Sequence, residues 1–127
     1  MKLRLLVLDD EGSVIFALSD YFRTHGYHVD CTSEIEEAKA LLAATHYSAA
    51  IIDLNLGGRE NTEGFEMVRW ARQRSPSTRL LILTAYGTPE IEMEARRCGV
   101  DALLHKPKSL REIERVLSDK NRSRMPR

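Results

Sequence analysis

Five short apolar runs, each followed by a stretch whose apolar residues recur at helical spacing, restrict this chain to very few folds. The runs are Leu3–Leu8, 27–31, Ala49–Asp53, 80–83 and 101–105. Runs this short and this continuous suit strands buried on both faces of a parallel sheet. Between them lie amphipathic segments with recognisable ends. Ile15, Leu18 and Phe22 precede Gly26, which is placed to end a helix. Ser33-Glu34-Ile35-Glu36 reads as a capping box in front of Ile35, Ala38, Leu41 and Leu42. Phe65, Val68 and Ala71 form a third apolar stripe, stopped by Ser75-Pro76. Thr88-Pro89 and Cys98-Gly99 bracket a fourth helix, and Ser109-Leu110-Arg111-Glu112 opens a fifth with Leu110, Ile113, Val116 and Leu117 inward. Strand and helix alternating five times call for a parallel sheet covered by helices on both faces, joined by right-handed crossovers.

A chain of 127 residues makes one domain and buries a core without disulfides or metals. We place that domain at residues 1–119, with 120–127 a basic tail or linker stump carrying Lys120, Arg122, Arg124 and Arg127. Lys plus Arg and Asp plus Glu are equal at 19 each, and no aromatic-basic patch stands out, which argues against direct nucleic-acid binding. Cys31 and Cys98 are isolated and suit a reducing compartment. No apolar run approaches the roughly 20 residues needed to span a bilayer. The first strand pattern begins at once, leaving no room for a signal peptide. The expectation is a soluble cytoplasmic domain without a membrane partner.

Each apolar run but the second ends in a particular polar group: Asp9-Asp10, Asp53, Thr84 and Lys106. In a parallel sheet these ends share one edge. With strand order 2-1-3-4-5, the first and third strands would flank the crevice where the winding reverses. Three carboxylates brought together there repel one another unless a cation lies among them. Oxygen ligands alone favour a hard ion, Mg2+ ahead of Ca2+. A carboxylate nucleophile, a metal, an ammonium and a hydroxyl together meet the needs of phosphoryl transfer. Each residue alone has a plainer explanation. An Asp after a strand often caps a helix, an acidic helix start complements the macrodipole, and a Thr or a Lys-Pro pair often only shapes a loop. Their joint occurrence in this order is what carries the reading.

The segments Val7-Leu8-Asp9-Asp10-Glu11, Ile51-Ile52-Asp53-Leu54-Asn55, Leu83-Thr84-Ala85 and Lys106-Pro107 resemble the receiver domain of bacterial two-component response regulators, over about residues 3–119. The resemblance implies a flavodoxin-like three-layer (βα)5 sandwich with a five-stranded parallel sheet of order 2-1-3-4-5. It implies that Asp53 is a phosphoacceptor for a sensor histidine kinase or phosphotransfer protein, modified by its own chemistry without turning over a metabolite. It assigns Asp10 as a direct Mg2+ ligand and Asp9 as one acting mostly through water, with Asp53 and the backbone carbonyl of Asn55 completing the set. Thr84 would bond the phosphoryl oxygen and draw its loop inward, Lys106 would pair with the phosphoryl group, and Lys106-Pro107 would be cis. A homodimer through the helix 4–strand 5–helix 5 face is a further expectation.

Three positions depart from the family pattern. Leu103 stands where an aromatic switch residue is common, the loop from Leu56 to Glu63-Gly64 is lengthened, and Tyr86 follows Thr84 by two residues, where bulk would shield an acyl phosphate from water. Other functions fit less well. A Mg2+-dependent aspartyl-phosphate phosphohydrolase would want an acid close after the nucleophile, where Asn55 stands, and a flavodoxin-like cofactor binder would want a glycine-rich loop in place of Asp9-Asp10-Glu11. A receiver-like docking module independent of phosphorylation remains an alternative. No recognisable output segment follows the last helix, so the chain reads as a stand-alone receiver or one cut from a larger regulator.

Overall fold

The computed structural model describes residues 3–54, 62–85 and 87–118. Its strands are β1 (Leu3–Leu8), β2 (Tyr27–Thr32), β3 (Ala49–Asp53), β4 (Arg79–Thr84) and β5 (Ala102–His105). They alternate with α1 (Gly12–Thr24), α2 (Ile35–Ala44), α3 (Thr62–Arg74), α4 (Pro89–Cys98) and α5 (Leu110–Ser118). All pairings are parallel and the order is β2-β1-β3-β4-β5, the doubly wound arrangement expected from the resemblance.

The period-2 alternation of side chains divides the strands between two cores. Leu6, Leu8, Ala50, Ile52, Leu80 and Ile82 face α2, α3 and α4, where Ala38, Leu42, Val68, Ala71 and Ala95 meet them. Leu5, Val7, Ala49, Ile51, Leu81 and Leu83 face α1 and α5, against Leu18, Phe22, Ile113 and Leu117. All five residues of β3 are buried because it lies at the centre of the sheet with helices on both sides. This burial explains why its sequence shows no polar alternation.

Most helix boundaries follow the sequence signals. The Thr88 hydroxyl accepts the Ile91 amide at 3.2 Å, with Pro89 in the first helical position. Ser109 Oγ accepts the Glu112 amide at 3.1 Å and donates to the Glu112 carboxylate at 3.0 Å. Gly26 and Gly99 follow α1 and α4 with φ of 91° and 80°. The Ser33 capping box does not form. Strand β2 continues through Thr32, which pairs with Leu8, and the N-cap of α2 is Glu34, whose side chain makes no capping bond. The Thr32 hydroxyl takes the Glu34 amide instead, at 3.0 Å. One extra residue in the strand moves the helix start past the serine.

At the sheet edge opposite the strand ends, Arg72 holds three segments together. Its guanidinium pairs with Asp101 at 2.8 Å and donates to the carbonyls of Gly99, Pro76 and Thr78 at 2.9, 3.0 and 3.1 Å. Asp101 also accepts the Leu80 amide at 2.7 Å. Both side chains are mostly buried, and the clamp sets how α3, the start of β4 and the turn into β5 meet.

Candidate functional site

Strand register makes the site. Leu8 pairs with Ile52, so the residues that follow, Asp9 and Asp53, arrive level with each other on adjacent strands. Asp53 pairs with Leu83, and Thr84 with His105, which brings the ends of β4 and β5 to the same edge. Carboxylate oxygens of Asp9, Asp10 and Asp53 lie within 4.8 Å of one another. Asp9 and Asp53 are buried at 1% and 4% exposure, whereas Asp10 faces solvent.

Local bonds hold these groups in place. Asp9 Oδ1 accepts the Glu11 amide at 2.9 Å, and the Asp9 amide donates to the Thr32 carbonyl at 3.1 Å. Behind Asp53, the Leu54 amide donates to the Leu83 carbonyl at 3.1 Å. The first turn of α3 presses against the same point. A Cβ on Gly64 would stand 2.6 Å from the Leu54 carbonyl oxygen, so this approach needs a glycine.

Lys106 supplies the counter-charge. Its Nζ donates to Asp9 Oδ2 at 3.1 Å and to Glu11 Oε1 at 3.3 Å, and it lies 3.6 Å from Asp53 Oδ2. Burial alone would lower the pKa of this ammonium. The hydrogen bond and charge of Asp9, with Asp53 and Glu11, outweigh burial and raise it. The Lys106 amide donates to the Thr84 carbonyl at 2.7 Å, and the Lys106-Pro107 peptide is cis. Thr84 is fully buried at the end of β4.

The structure therefore brings together Asp9, Asp10, Asp53 and Lys106, with Thr84 joined to Lys106 through the backbone. Asn55, the loop from Leu56 to Asn61, Tyr86 and the tail from Lys120 onward lie outside the described residues. Leu103 packs, partly buried, on the core shared with α3 and α4. Two participants escaped the sequence reading. Glu11 appeared only as part of an acidic run, yet it is a direct partner of Lys106. His105 appeared only as the end of a strand, yet its ring lies against Gly87; alternation along β5 already puts it on the face of Leu103.

Around one ammonium, the carboxylates leave a net negative charge. With no Cys or His among Asp9, Asp10 and Asp53, the donor set is oxygen alone, with Asp10 open to water. That set fits a hard divalent cation. Beside Lys106, a crevice of about 520 Å³ opens between α1 and α5, with Val14, Ala17, Leu83, Pro107, Leu110 and Ile113 on its walls. No helix among the described residues is long and apolar enough to cross a membrane.

Comparisons with known proteins agree with this geometry. The family profile of the response regulator receiver domain matches residues 5–118. The photosynthetic apparatus regulatory protein RegA of Cereibacter sphaeroides is 29% identical over 96% of this chain and 65% of its own length. The two-component response regulator PhoP of Pseudomonas aeruginosa is 32% identical over 91% of this chain and 50% of its own length. The chain thus spans only part of these relatives. Among solved structures, a response regulator from Burkholderia pseudomallei superposes with a TM-score of 0.84 at 26% identity, covering 93% of this chain and 68% of that one. That structure holds a phosphorylated aspartic acid, a calcium ion and citrate. A CheY-like receiver domain protein from Methanospirillum hungatei shares the fold, with a TM-score of 0.87 at 22% identity over 94% of both chains.

Proposed function

The chain belongs to the response regulator receiver domain family, and from that premise we propose that it takes a phosphoryl group onto Asp53 from a phosphohistidine and uses the change to signal. The observation that carries this reading is Asp53 itself. It is a buried carboxylate at a strand end, 3.6 Å from the Lys106 ammonium and beside two further carboxylates.

In the proposed step a carboxylate oxygen of Asp53 bonds to phosphorus as the P–N bond of the phosphohistidine breaks. The departing imidazole nitrogen then takes up a proton. Attack by water on the acyl phosphate returns the carboxylate and inorganic phosphate. Lys106 is already within reach of Asp53 and pairs with the incoming phosphoryl oxygens. Thr84 offers its hydroxyl to the same group, and its backbone bond to Lys106 couples the ends of β4 and β5. We assign Mg2+ to Asp9, Asp10 and Asp53; when bound, it offsets their mutual repulsion and the charge on the phosphoryl oxygens. The family resemblance adds the Asn55 carbonyl, which is outside the described residues.

The donor is a sensor histidine kinase or a phosphotransfer protein. The apolar crevice between α1 and α5, beside Lys106, suits the helix of such a donor. Helices α4 and α5 carry exposed charges of opposite sign, Glu90 on the first and Arg111 and Arg115 on the second, which is compatible with a homodimer through α4, β5 and α5 held by complementary charge. A cytoplasmic setting and control of an attached output domain or separate partner complete the proposal. Acetyl phosphate with Mg2+ is expected to add one phosphoryl group to the wild-type protein by intact mass, and none to Asp53→Asn. Equal labelling of both proteins overturns the assignment.

A further inference from the structure

We propose that His105 is a positioning residue for this site, its imidazole bracing the backbone at Gly87 so that the position of Gly87 and the state of Asp53 are coupled. The inference rests on the phosphoacceptor reading above and extends it to how the site communicates with the surface.

Three observations carry it. First, Thr84 and His105 are register partners in the β4–β5 pair. Paired residues of a parallel sheet share a face, and the pair two positions earlier, Ile82 and Leu103, packs on the core shared with α3 and α4. His105 therefore stands beside Thr84 on that same face. Second, the ring lies against Gly87. A Cβ there would fall 1.8 Å from His105 Nε2 and 2.2 Å from Cδ2, so any larger residue would displace the exposed ring from this seat. The constraint is steric and leaves glycine as the residue that lets the imidazole seat. Third, the backbone on either side of the ring belongs to the site. Lys106 follows His105, and its amide bonds to the Thr84 carbonyl at 2.7 Å.

The end of β5 thus touches this region at two points, the Lys106 amide on Thr84 and the His105 ring on Gly87. An inward shift of Thr84 toward a modified Asp53 withdraws Gly87 from the ring or carries the ring with it. Either way dispersion contacts change at a surface-exposed side chain. By linkage, whatever the modification does to the ring, changing the ring does to the modification. Leu103 is partly buried against the core and offers no ring for such a part. A merely structural role, an exposed ring covering a glycine, would alter stability and leave the phosphoryl-like state untouched.

The test uses the full chain with Mg2+ and beryllofluoride as the probe of a modified Asp53. Side-chain NMR follows the Cε1–H signals of the four histidines, His25, His28, His46 and His105. The His105 signal is assigned by its loss in His105→Gln. On saturation with beryllofluoride the His105 signal is expected to move, and in Asp53→Asn it is expected to stay. His105→Ala is expected to change beryllofluoride affinity about fivefold, the low end of measured couplings. His105→Phe restores most of that difference. Gly87→Ala, which evicts the ring, shifts affinity in the same direction as His105→Ala, and the two changes combined do no more than one. Wild-type binding with an unmoved His105 signal overturns this inference alone, as does unchanged affinity in both His105→Ala and Gly87→Ala. No binding by the wild-type protein overturns the phosphoacceptor reading and this inference with it. If His105→Ala fails to fold, the wild-type spectra and Gly87→Ala decide.

Discussion

Replacing Asp10 by Asn should make the metal-free protein more stable and remove most of its response to Mg2+. Oxygens of Asp10 and Asp53 lie within 4.8 Å. Two unit charges at that distance repel by about 0.9 kcal/mol in bulk water and about 3.5 kcal/mol at an effective dielectric of 20. Asp10 is exposed, so the lower figure governs. The Asp9–Asp10 repulsion exists in the unfolded chain too, because the residues are adjacent, and largely cancels. Lys106 bonds Asp9 and approaches Asp53, so its attraction is spent mainly on them. The net gain for Asp10→Asn is then about 1 kcal/mol, which raises Tm by about 3–5 °C for a domain of this size. Mg2+ at ten times its Kd adds about 1.4 kcal/mol to the wild-type protein by mass action. The variant has lost a ligand and gains little, so the order of stabilities closes or reverses. Thermal unfolding by circular dichroism in EDTA and in Mg2+, at low and high salt, reads both effects, and salt should shrink the first. The reasoning is refuted if Asp10→Asn is no more stable than wild type in EDTA, or if Mg2+ raises Tm equally in both proteins.

Other outcomes follow from the packing around the sheet. Arg72→Ala should cost about 3–5 kcal/mol in denaturant unfolding, because it leaves Asp101 buried without its partner; a loss below about 1 kcal/mol would contradict the clamp as described. Gly64→Ala puts a Cβ 2.6 Å from the Leu54 carbonyl. It should destabilise by about 1–3 kcal/mol and slow acetyl-phosphate labelling, whereas unchanged stability and rate would mean α3 moves aside freely. Lys106 has a folded-state pKa above its ordinary 10.5. Its stabilising contribution is therefore fully present below that value and lost as pH rises through the higher folded one. The stability difference between wild type and Lys106→Met should stay level from neutral to mildly alkaline pH and fall only above about pH 10.5. A decline near neutrality would show that the carboxylates do not hold the proton.

Much of this architecture is legible along the chain because its signals are local. Apolar runs such as Ala49–Asp53 declare buried strands, and the polar residue closing each run is where a parallel sheet gathers its ligands. Thr88 and Ser109 announce their helices because a cap is satisfied within its own first turn. Even Ser33 followed the rule, and failed only because pairing with Leu8 drew Thr32 into the strand. Helical and strand periods say which face a residue occupies, and they say nothing of who waits across from it. Pairing and register settle that. They set Glu11 against Lys106 across 95 positions of chain, clasp Arg72 to Asp101, and lay His105 over Gly87. Asp53 became a candidate from its strand and a site residue only in company with the other strand ends, while the charges that surround it exist only once those ends are brought to one edge.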